Sequence, residues 1–158
     1  MPRGPGRLSG TPAAAAAVEF ARQELVRLGA DLVTLEPCQV PCWERGQIQR
    51  VQISAPPGLA GERFNCLALG GSVGTPVGGL SAPVLRVESF EELAARASEA
   101  KGAIVFFDLG MDPKERDNFG AYGRGVRART NGAIEAAKAG AAAVVIRSVA
   151  SALDDEPH

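Results

Sequence analysis

The first part of the chain has a helical hydrophobic pattern. Apolar side chains recur there at intervals of three and four residues, at Val18, Ala21, Leu25 and Leu28. Thr11 followed by Pro12 is typical of a helix start, and Gly29 is typical of a helix end. The pattern therefore predicts an amphipathic helix from Pro12 to Leu28, whose apolar stripe must pack against something.

Shorter apolar runs follow this helix. Asp31–Leu35 is β-branched and precedes Pro37, which favours a short strand. Apolar and polar residues alternate around Val51 until a run of Pro and Gly at residues 56–58 interrupts the pattern. We place a domain boundary there, between residues 1–57 and 58–158. Beyond the boundary, Asn65–Leu69 predicts another strand, and the glycine-rich residues 70–79 predict a loop.

The second half of the chain combines strand and helix patterns. Ala82–Val87 predicts a strand, and the Ser-x-x-Glu sequence at residues 89–92 is a capping box that begins a helix to about Ala100. Ala103–Phe107 is continuously apolar, as expected for a strand buried on both faces. A loop over residues 109–124 should follow.

A second helix and strand complete the pattern. The helix is predicted from about Val126 to Ala139, with Asn131-Gly132 as an alternative start, and the strand covers Ala142–Ile146. A strand, a helix and a strand at this spacing form a βαβ unit with a parallel strand pair. The expected fold class is α/β, as a mixed α+β arrangement.

Composition excludes several classes of partner. The chain has 158 residues, 46% of them hydrophobic, which suffices for a domain with a core but not for two large domains. Its formal charge of −1 provides no field that would attract nucleic acid or an anionic membrane. The longest apolar run, Ala139–Ile146, is far shorter than a membrane-spanning segment. We therefore expect neither nucleic acid nor a membrane as a partner.

The small number of histidines and cysteines limits the chemistry. The single histidine is His158, so a histidine-assisted nucleophile or a multi-histidine zinc centre would depend on the final residue. The chain has three cysteines, Cys38, Cys42 and Cys66. An odd number of cysteines does not indicate a disulfide framework. Cys38 and Cys42 have the spacing of a metal half-site that Cys66 and His158 could formally complete, but free thiols are the preferred interpretation.

Other candidate sites have simple structural interpretations. Residues 70–79 lack the lysine and the glycine spacing of a phosphate-binding loop. Four arginines could bind an anion but are better interpreted as a solvated face: Arg116, Arg124, Arg127 and Arg129. Acidic residues that could hold a cation or move a proton have no fixed separation and are interpreted as surface charges: Asp108, Asp112, Asp154, Asp155 and Glu156. We assign no catalytic, cofactor-binding or metal-binding residue.

Several motifs resemble one family in order and spacing. GRLSGTP, LGAD and LEPCQVPCWERG resemble the start of zinc-dependent exopeptidases of the carboxypeptidase Q (plasma glutamate carboxypeptidase) type. LALGGSVGTPVGG, SFEELAARASEAKGAIVFF and NGAIEAAKAGAAAVVIRSVAS resemble the protease-associated insert of those enzymes. The sequence departs from the family at Cys42, where a histidine is usual, at Ala103, where a lysine is usual, and over residues 113–121.

The resemblance implies that the chain contains parts of two domains. Residues 1–57 would be the first helix and strand of a peptidase domain, and residues 58–158 most of a protease-associated domain. In the family, two zinc ions activate water beside a general-base glutamate, in a catalytic domain that follows the equivalent of His158. The ligands cannot be carried over to any residue here, including Asp154, Asp155 and His158. We therefore expect no cofactor in this chain.

The expected function is that of a non-catalytic portion of an enzyme that hydrolyses dipeptides or small peptides. Its main partner would be the catalytic domain, and it would control substrate access or contribute to homodimer contacts. The alternative is a stand-alone module that binds peptides or proteins, and a further possibility is a βαβ domain that binds a small ligand or a nucleotide. The chain begins without a leader sequence, whereas the family is usually secreted or lysosomal, so the residues do not predict a compartment.

Overall fold

The computed structural model describes residues 8–112 and 114–151, in which helices and two small sheets form a mixed α/β fold. This confirms the expected fold class. The described residues fall into two compact units. The first extends to Gln47 and includes Gly70–Ser72, and the second comprises Ile48–Leu69 and the described residues from Val73 onward.

The first unit contains helix α1, Pro12–Arg27, as the apolar period predicts. The Thr11 hydroxyl accepts a hydrogen bond of 3.2 Å from the amide of Ala14, and Gly29 follows the helix with φ +91°. That φ lies in the left-handed region, which glycine adopts without strain. The cap and the stop therefore set the limits of α1.

The strand predicted over Asp31–Leu35 is wrong. These residues have no regular structure, and Leu32 is 80% exposed. A strand needs a neighbour for its backbone N–H and C=O groups, and the described residues of this unit include no strand that could provide one. In the same unit, the Trp43 indole donates a hydrogen bond of 3.0 Å to the carbonyl of Ser72.

The second unit begins with a small hairpin. Strand β1, Val51–Gln52, pairs antiparallel with β2, Arg63–Phe64. The strand predicted over residues 65–69 is wrong, because pairing ends at Phe64 and the amide of Ala68 donates instead to the side chain of Gln49. The hairpin joins residues on both sides of position 57, and the domain boundary at that position stays a prediction.

A parallel sheet forms the centre of the second unit. Its strands are β3 (Val84–Val87), β4 (Ile104–Phe107) and β5 (Ala143–Ile146), in the order β3-β4-β5. Both strand pairs are parallel, which confirms the predicted βαβ unit. The register places the last residues of the three strands beside one another at one edge, and this edge carries the charged cluster described below.

Three helices connect these strands: α2 (Phe90–Ala95), α3 (Ala97–Ala100) and α4 (Asn118–Lys138). The Ser89 hydroxyl caps α2 by accepting from the amide of Glu92 at 3.0 Å, as predicted. The single helix predicted to about Ala100 is interrupted at Arg96. Helix α4 begins far earlier than Val126 or Asn131, because the carboxylate of Asp117 accepts from the amide of Gly120 and caps it. The loop predicted over residues 109–124 is therefore too long.

The core lies between this sheet and its helices. Phe107 is fully buried and meets the ring of Phe90 edge to face, with the ring centroids 5.3 Å apart. Helix α4 approaches this core closely, because a Cβ at Gly132 would lie 3.1 Å from the Phe107 ring. Strand β4 is fully buried on only one face, and its other face, with Ile104, is half-buried. The expectation of burial on both faces is therefore only partly met.

Candidate functional site

A charged cluster lies at the carboxyl edge of the parallel sheet. Asp108 directly follows β4 and is only 17% exposed. Its Oδ2 accepts from Arg86 of β3 at 2.8 Å, and its Oδ1 accepts from Arg147, which follows β5, at 3.0 Å. Arg86 also donates to Glu88 at 2.6 Å. One carboxylate thus ties together the ends of all three strands.

The electrostatics of the cluster favour a structural role. Burial by itself raises the pKa of Asp108, but the hydrogen bonds from Arg86 and Arg147 outweigh burial and hold that pKa below its ordinary value. Asp108 is therefore ionised at neutral pH and already accepts from two guanidinium groups. A carboxylate in this state is not suited to take up a proton or to bind a cation.

From the sequence, Asp108 is a candidate for cation binding or proton transfer that is interpreted as a surface charge, and Arg86 and Arg147 are not singled out. The positions of these residues could have indicated the cluster, because each lies in the last part of an apolar strand or directly after it. The carboxyl ends of parallel strands meet at one edge, which brings such residues together. By contrast, Asp112 is exposed and accepts from the amide of Lys114 in a turn.

The four arginines considered as an anion site have separate environments. Arg124 pairs with Glu115 at 3.1 Å, and the guanidinium of Arg127 lies 5.4 Å from the centroid of the Phe90 ring. Arg116 is exposed, and Arg129 is half-buried. Arg124 and Arg127 do line one small surface depression, but Glu91 lines it too. Three of the four side chains are therefore exposed to solvent, and Arg124 is paired with an acidic residue.

The glycine-rich residues 70–79 form turns, as predicted. Gly71, Gly78 and Gly79 have positive φ, and the amide of Gly79 donates to the carbonyl of Pro76 at 2.9 Å. Val73 and Val77 are almost completely exposed. The arrangement is that of a loop built from tight turns.

The three cysteines are free thiols in the structure, with Cys38 and Cys42 exposed and Cys66 half-buried. His158 and the acidic residues Asp154, Asp155 and Glu156 lie outside the described residues. Within residues 8–112 and 114–151, no three side chains of His, Cys, Asp or Glu are placed to share a metal ion. Those residues therefore do not fit a zinc site.

Helix α1 and its C-cap residue present an exposed apolar surface, which we call the α1 face and define as Val18, Leu25 and Leu28. These side chains are 51%, 49% and 71% exposed, and no residue of α1 is buried. The charged residues of the helix pair with each other, Glu19 with Arg22 and Glu24 with Arg27. Such a surface is typical of a helix whose packing partner is another segment or chain.

This chain is similar to part of several longer proteins. Human carboxypeptidase Q is 43% identical over 152 residues, which are 96% of this chain and 30% of the human protein. The mouse carboxypeptidase Q is 41% identical over the same share. The chain is homologous to part of carboxypeptidase Q. This confirms the resemblance seen in the motifs, although no family model matches the chain.

A solved structure of a peptidase is also similar to this chain. The crystal structure of a peptidase M28 precursor from Shewanella amazonensis aligns with a TM-score of 0.79 and 34% identity. The alignment covers 96% of this chain and 33% of the bacterial protein. The chain thus spans about a third of the length of the proteins it matches. None of the described helices is long and apolar enough to cross a membrane.

Proposed function

We propose that this chain is the non-catalytic N-terminal and protease-associated portion of a zinc metallo-exopeptidase that hydrolyses dipeptides or small peptides. The proposal rests mainly on the extent of the alignment. Almost the whole chain aligns with human carboxypeptidase Q, but the aligned segment is only 30% of the length of that protein. The catalytic domain with its two zinc ions would be contributed by the part of the enzyme that the chain does not represent.

The proposal divides the chain as the motifs do. Residues 1–57 are a segment of the peptidase domain, and residues 58–158 are a protease-associated domain. The lack of any buried residue in α1 supports the first assignment, because the α1 face would pack on the peptidase domain. The second assignment is supported by the core around Phe107, which gives the protease-associated domain its own stability.

We infer the role of the second segment from the family resemblance. It would form a wall that restricts access to the catalytic domain, or a surface for contacts between two copies of the enzyme. Neither role needs an acid, a base or a metal ligand from this chain. This agrees with an Asp108 carboxylate that is held by Arg86 and Arg147.

A chimera tests the proposed function. In human carboxypeptidase Q, the segment of 152 residues that matches is replaced by this chain. We expect the chimera to bind about two zinc ions per chain and to hydrolyse dipeptides, because the chain restores the packing surface that the catalytic domain needs. The matched control is the human protein with the same segment deleted, which should lose both properties.

Two results would contradict the proposal. The first is a chimera that folds but has neither zinc nor dipeptidase activity. The second is this chain hydrolysing dipeptides by itself with stoichiometric zinc. If the chain alone is instead monodisperse, unfolds cooperatively and the chimera is inactive, the stand-alone interaction module becomes the better interpretation.

A further inference from the structure

Two depressions meet at the ring of Phe90, and together we call them the α2–α4 groove. The larger has a volume of about 220 Å³ and lies between α2–α3 and α4, with Leu93 and Ala94 in its lining. The smaller has a volume of about 60 Å³, and charged or polar side chains line most of it: Ser89, Glu91, Arg124 and Arg127. Phe90 lines both depressions, so an apolar space and a charged space are adjacent.

The smaller depression has donors for an anion. The guanidinium of Arg127 lies over the Phe90 ring and has no acidic partner among the described residues. A guanidinium in this position keeps its in-plane N–H donors. Arg124 pairs only with Glu115 at an exposed position, and such a pair is weak enough to be exchanged for another anion. The Ser89 hydroxyl accepts from the amide of Glu92 and keeps its own proton to donate.

The position and the charge of this depression also suit an anion. Ser89 comes shortly after β3 and Leu109 shortly after β4, so the depression lies at the carboxyl edge of the sheet, where α/β proteins commonly bind ligands. Two arginines face one acidic residue there, Glu91, which is exposed and forms no ion pair with either of them. The depression therefore has one positive charge in excess.

The larger depression suits a single apolar side chain. Leu93, which is only 2% exposed, contributes to its lining, and the ion pair of Glu135 with Lys138 also borders it. A cavity of about 150 Å³ holds a benzene ring. The volume of about 220 Å³ is therefore enough for a side chain of the size of leucine or phenylalanine, whereas a long fatty acyl chain would extend beyond it.

We propose that the α2–α4 groove binds the carboxyl-terminal residue of a peptide, with its carboxylate at Arg124 and Arg127 and an apolar side chain in the larger depression. The carboxylate and the side chain of such a residue are attached to one Cα, which agrees with two depressions that meet at one ring. The inference goes beyond the proposed function and needs no residue of a catalytic domain. It is therefore tested on this chain alone.

Titration with a blocked dipeptide, followed by the amide chemical shifts of the chain, tests the inference. N-acetylalanylleucine should cause saturable shifts at residues 89–91 and 124–127. Its carboxamide and N-acetylalanylglycine should each bind more weakly by about tenfold, because the first lacks the charge that the arginines bind and the second lacks the apolar side chain. Equal binding of the carboxamide, or no saturable shift at these residues, would overturn the inference.

Charge variants with a matched control provide a second readout. Arg127→Gln should weaken the binding of N-acetylalanylleucine by about fivefold. Arg116→Gln removes the same charge at an exposed position outside the groove and should leave the affinity unchanged. Glu91→Gln removes the acidic side chain of the depression and should strengthen binding by about twofold. Equal losses for the two arginine variants would show that only net charge matters, which contradicts the inference.

A second pair of variants tests the larger depression. Ala94→Leu places a larger side chain in its lining and should weaken the binding of N-acetylalanylleucine by about tenfold. Ala95→Leu changes an exposed neighbour on the same helix that does not line the depression, and should have no effect. Circular dichroism checks that both variants fold. If Ala94→Leu binds as tightly as the unchanged chain, the apolar side chain does not enter this depression.

Two further ligands distinguish the peptide from other anions. Octanoate that binds the groove as tightly as N-acetylalanylleucine would identify a fatty acid as the occupant and refute the assignment to a peptide. Inorganic phosphate that binds as tightly would show a site for simple anions, with the same consequence. These results do not depend on zinc or on dipeptidase activity, so an active chimera with no peptide binding by this chain refutes only the present inference.

Discussion

Two regions of the chain differ in how their structure is stabilised: residues 8–84, and the described residues from 85 to 151. No residue of the first region is buried, whereas every buried hydrophobic side chain among the described residues lies between Leu85 and Val149. The first region still contains a helix of 16 residues, because a cap, a run of alanines and two ion pairs favour α1 locally. Local signals are therefore enough to define a helix but not to stabilise a tertiary structure.

The two regions should also differ in thermal stability. A helix of this length is marginal in water without tertiary packing, because the first turn is costly to form. The second region gains its stability from apolar side chains that β3, β4, α2 and α4 bury together. We therefore expect the second region to unfold cooperatively, and α1 to lose its structure gradually and at lower temperature.

The largest expected effect is at the centre of the core. Phe107→Ala removes a fully buried ring that contacts Phe90, and should lower the free energy of unfolding by about 3–5 kcal/mol. The matched control is Phe20→Ala in α1, where the ring is 56% exposed and the expected cost is below about 0.5 kcal/mol. Denaturant unfolding measures both. Similar losses for the two variants would show that the first region shares the core.

An intermediate effect is expected at the carboxyl edge of the sheet. Asp108→Asn removes a charge that accepts from Arg86 and Arg147, and should cost about 1–2 kcal/mol near neutral pH. The folded pKa of Asp108 lies below its ordinary value of 3.8, so this contribution is present above that pH and is lost as pH falls through the folded pKa. The difference between variant and wild type should therefore vanish in strong acid.

The control for this prediction is Asp112→Asn. Asp112 is exposed and accepts from the amide of Lys114, which an asparagine side chain can also do. We expect almost no change in the free energy of unfolding at any pH. A loss for Asp108→Asn that persists unchanged into strong acid would mean that the ionised carboxylate is not what stabilises the sheet edge.

The sequence could predict the elements whose causes are local. Nearby residues are enough to predict the helix caps at Thr11 and Ser89. They are also enough to predict the apolar strands β3, β4 and β5. The strands predicted at residues 31–35 and 65–69 are absent because a strand depends on a partner elsewhere in the chain. The start of α4 was predicted too late because glycines lower its helix propensity. Gly132 is explained only by the non-local approach of Phe107.

The candidate site was predictable to a smaller extent. No local pattern marks Asp108, Arg86 and Arg147 as a cluster, because they come from three separate parts of the chain. Only the parallel register of β3, β4 and β5 brings them together. The homology with part of carboxypeptidase Q was readable from ordered motifs, whereas the exposure of the α1 face required the structure.

The smallest expected effect compares the two helix caps. Ser89 and Thr11 each accept a hydrogen bond from an amide three residues ahead, at 3.0 and 3.2 Å. Ser89→Ala should lower the free energy of unfolding of the second region by about 1 kcal/mol, because α2 contributes Leu93 to the core. Thr11→Ala should leave that transition unchanged and reduce only the helical circular dichroism signal at low temperature. If Thr11→Ala instead lowers the cooperative midpoint as Ser89→Ala does, α1 is stabilised by tertiary contacts, and the contrast between the two regions fails.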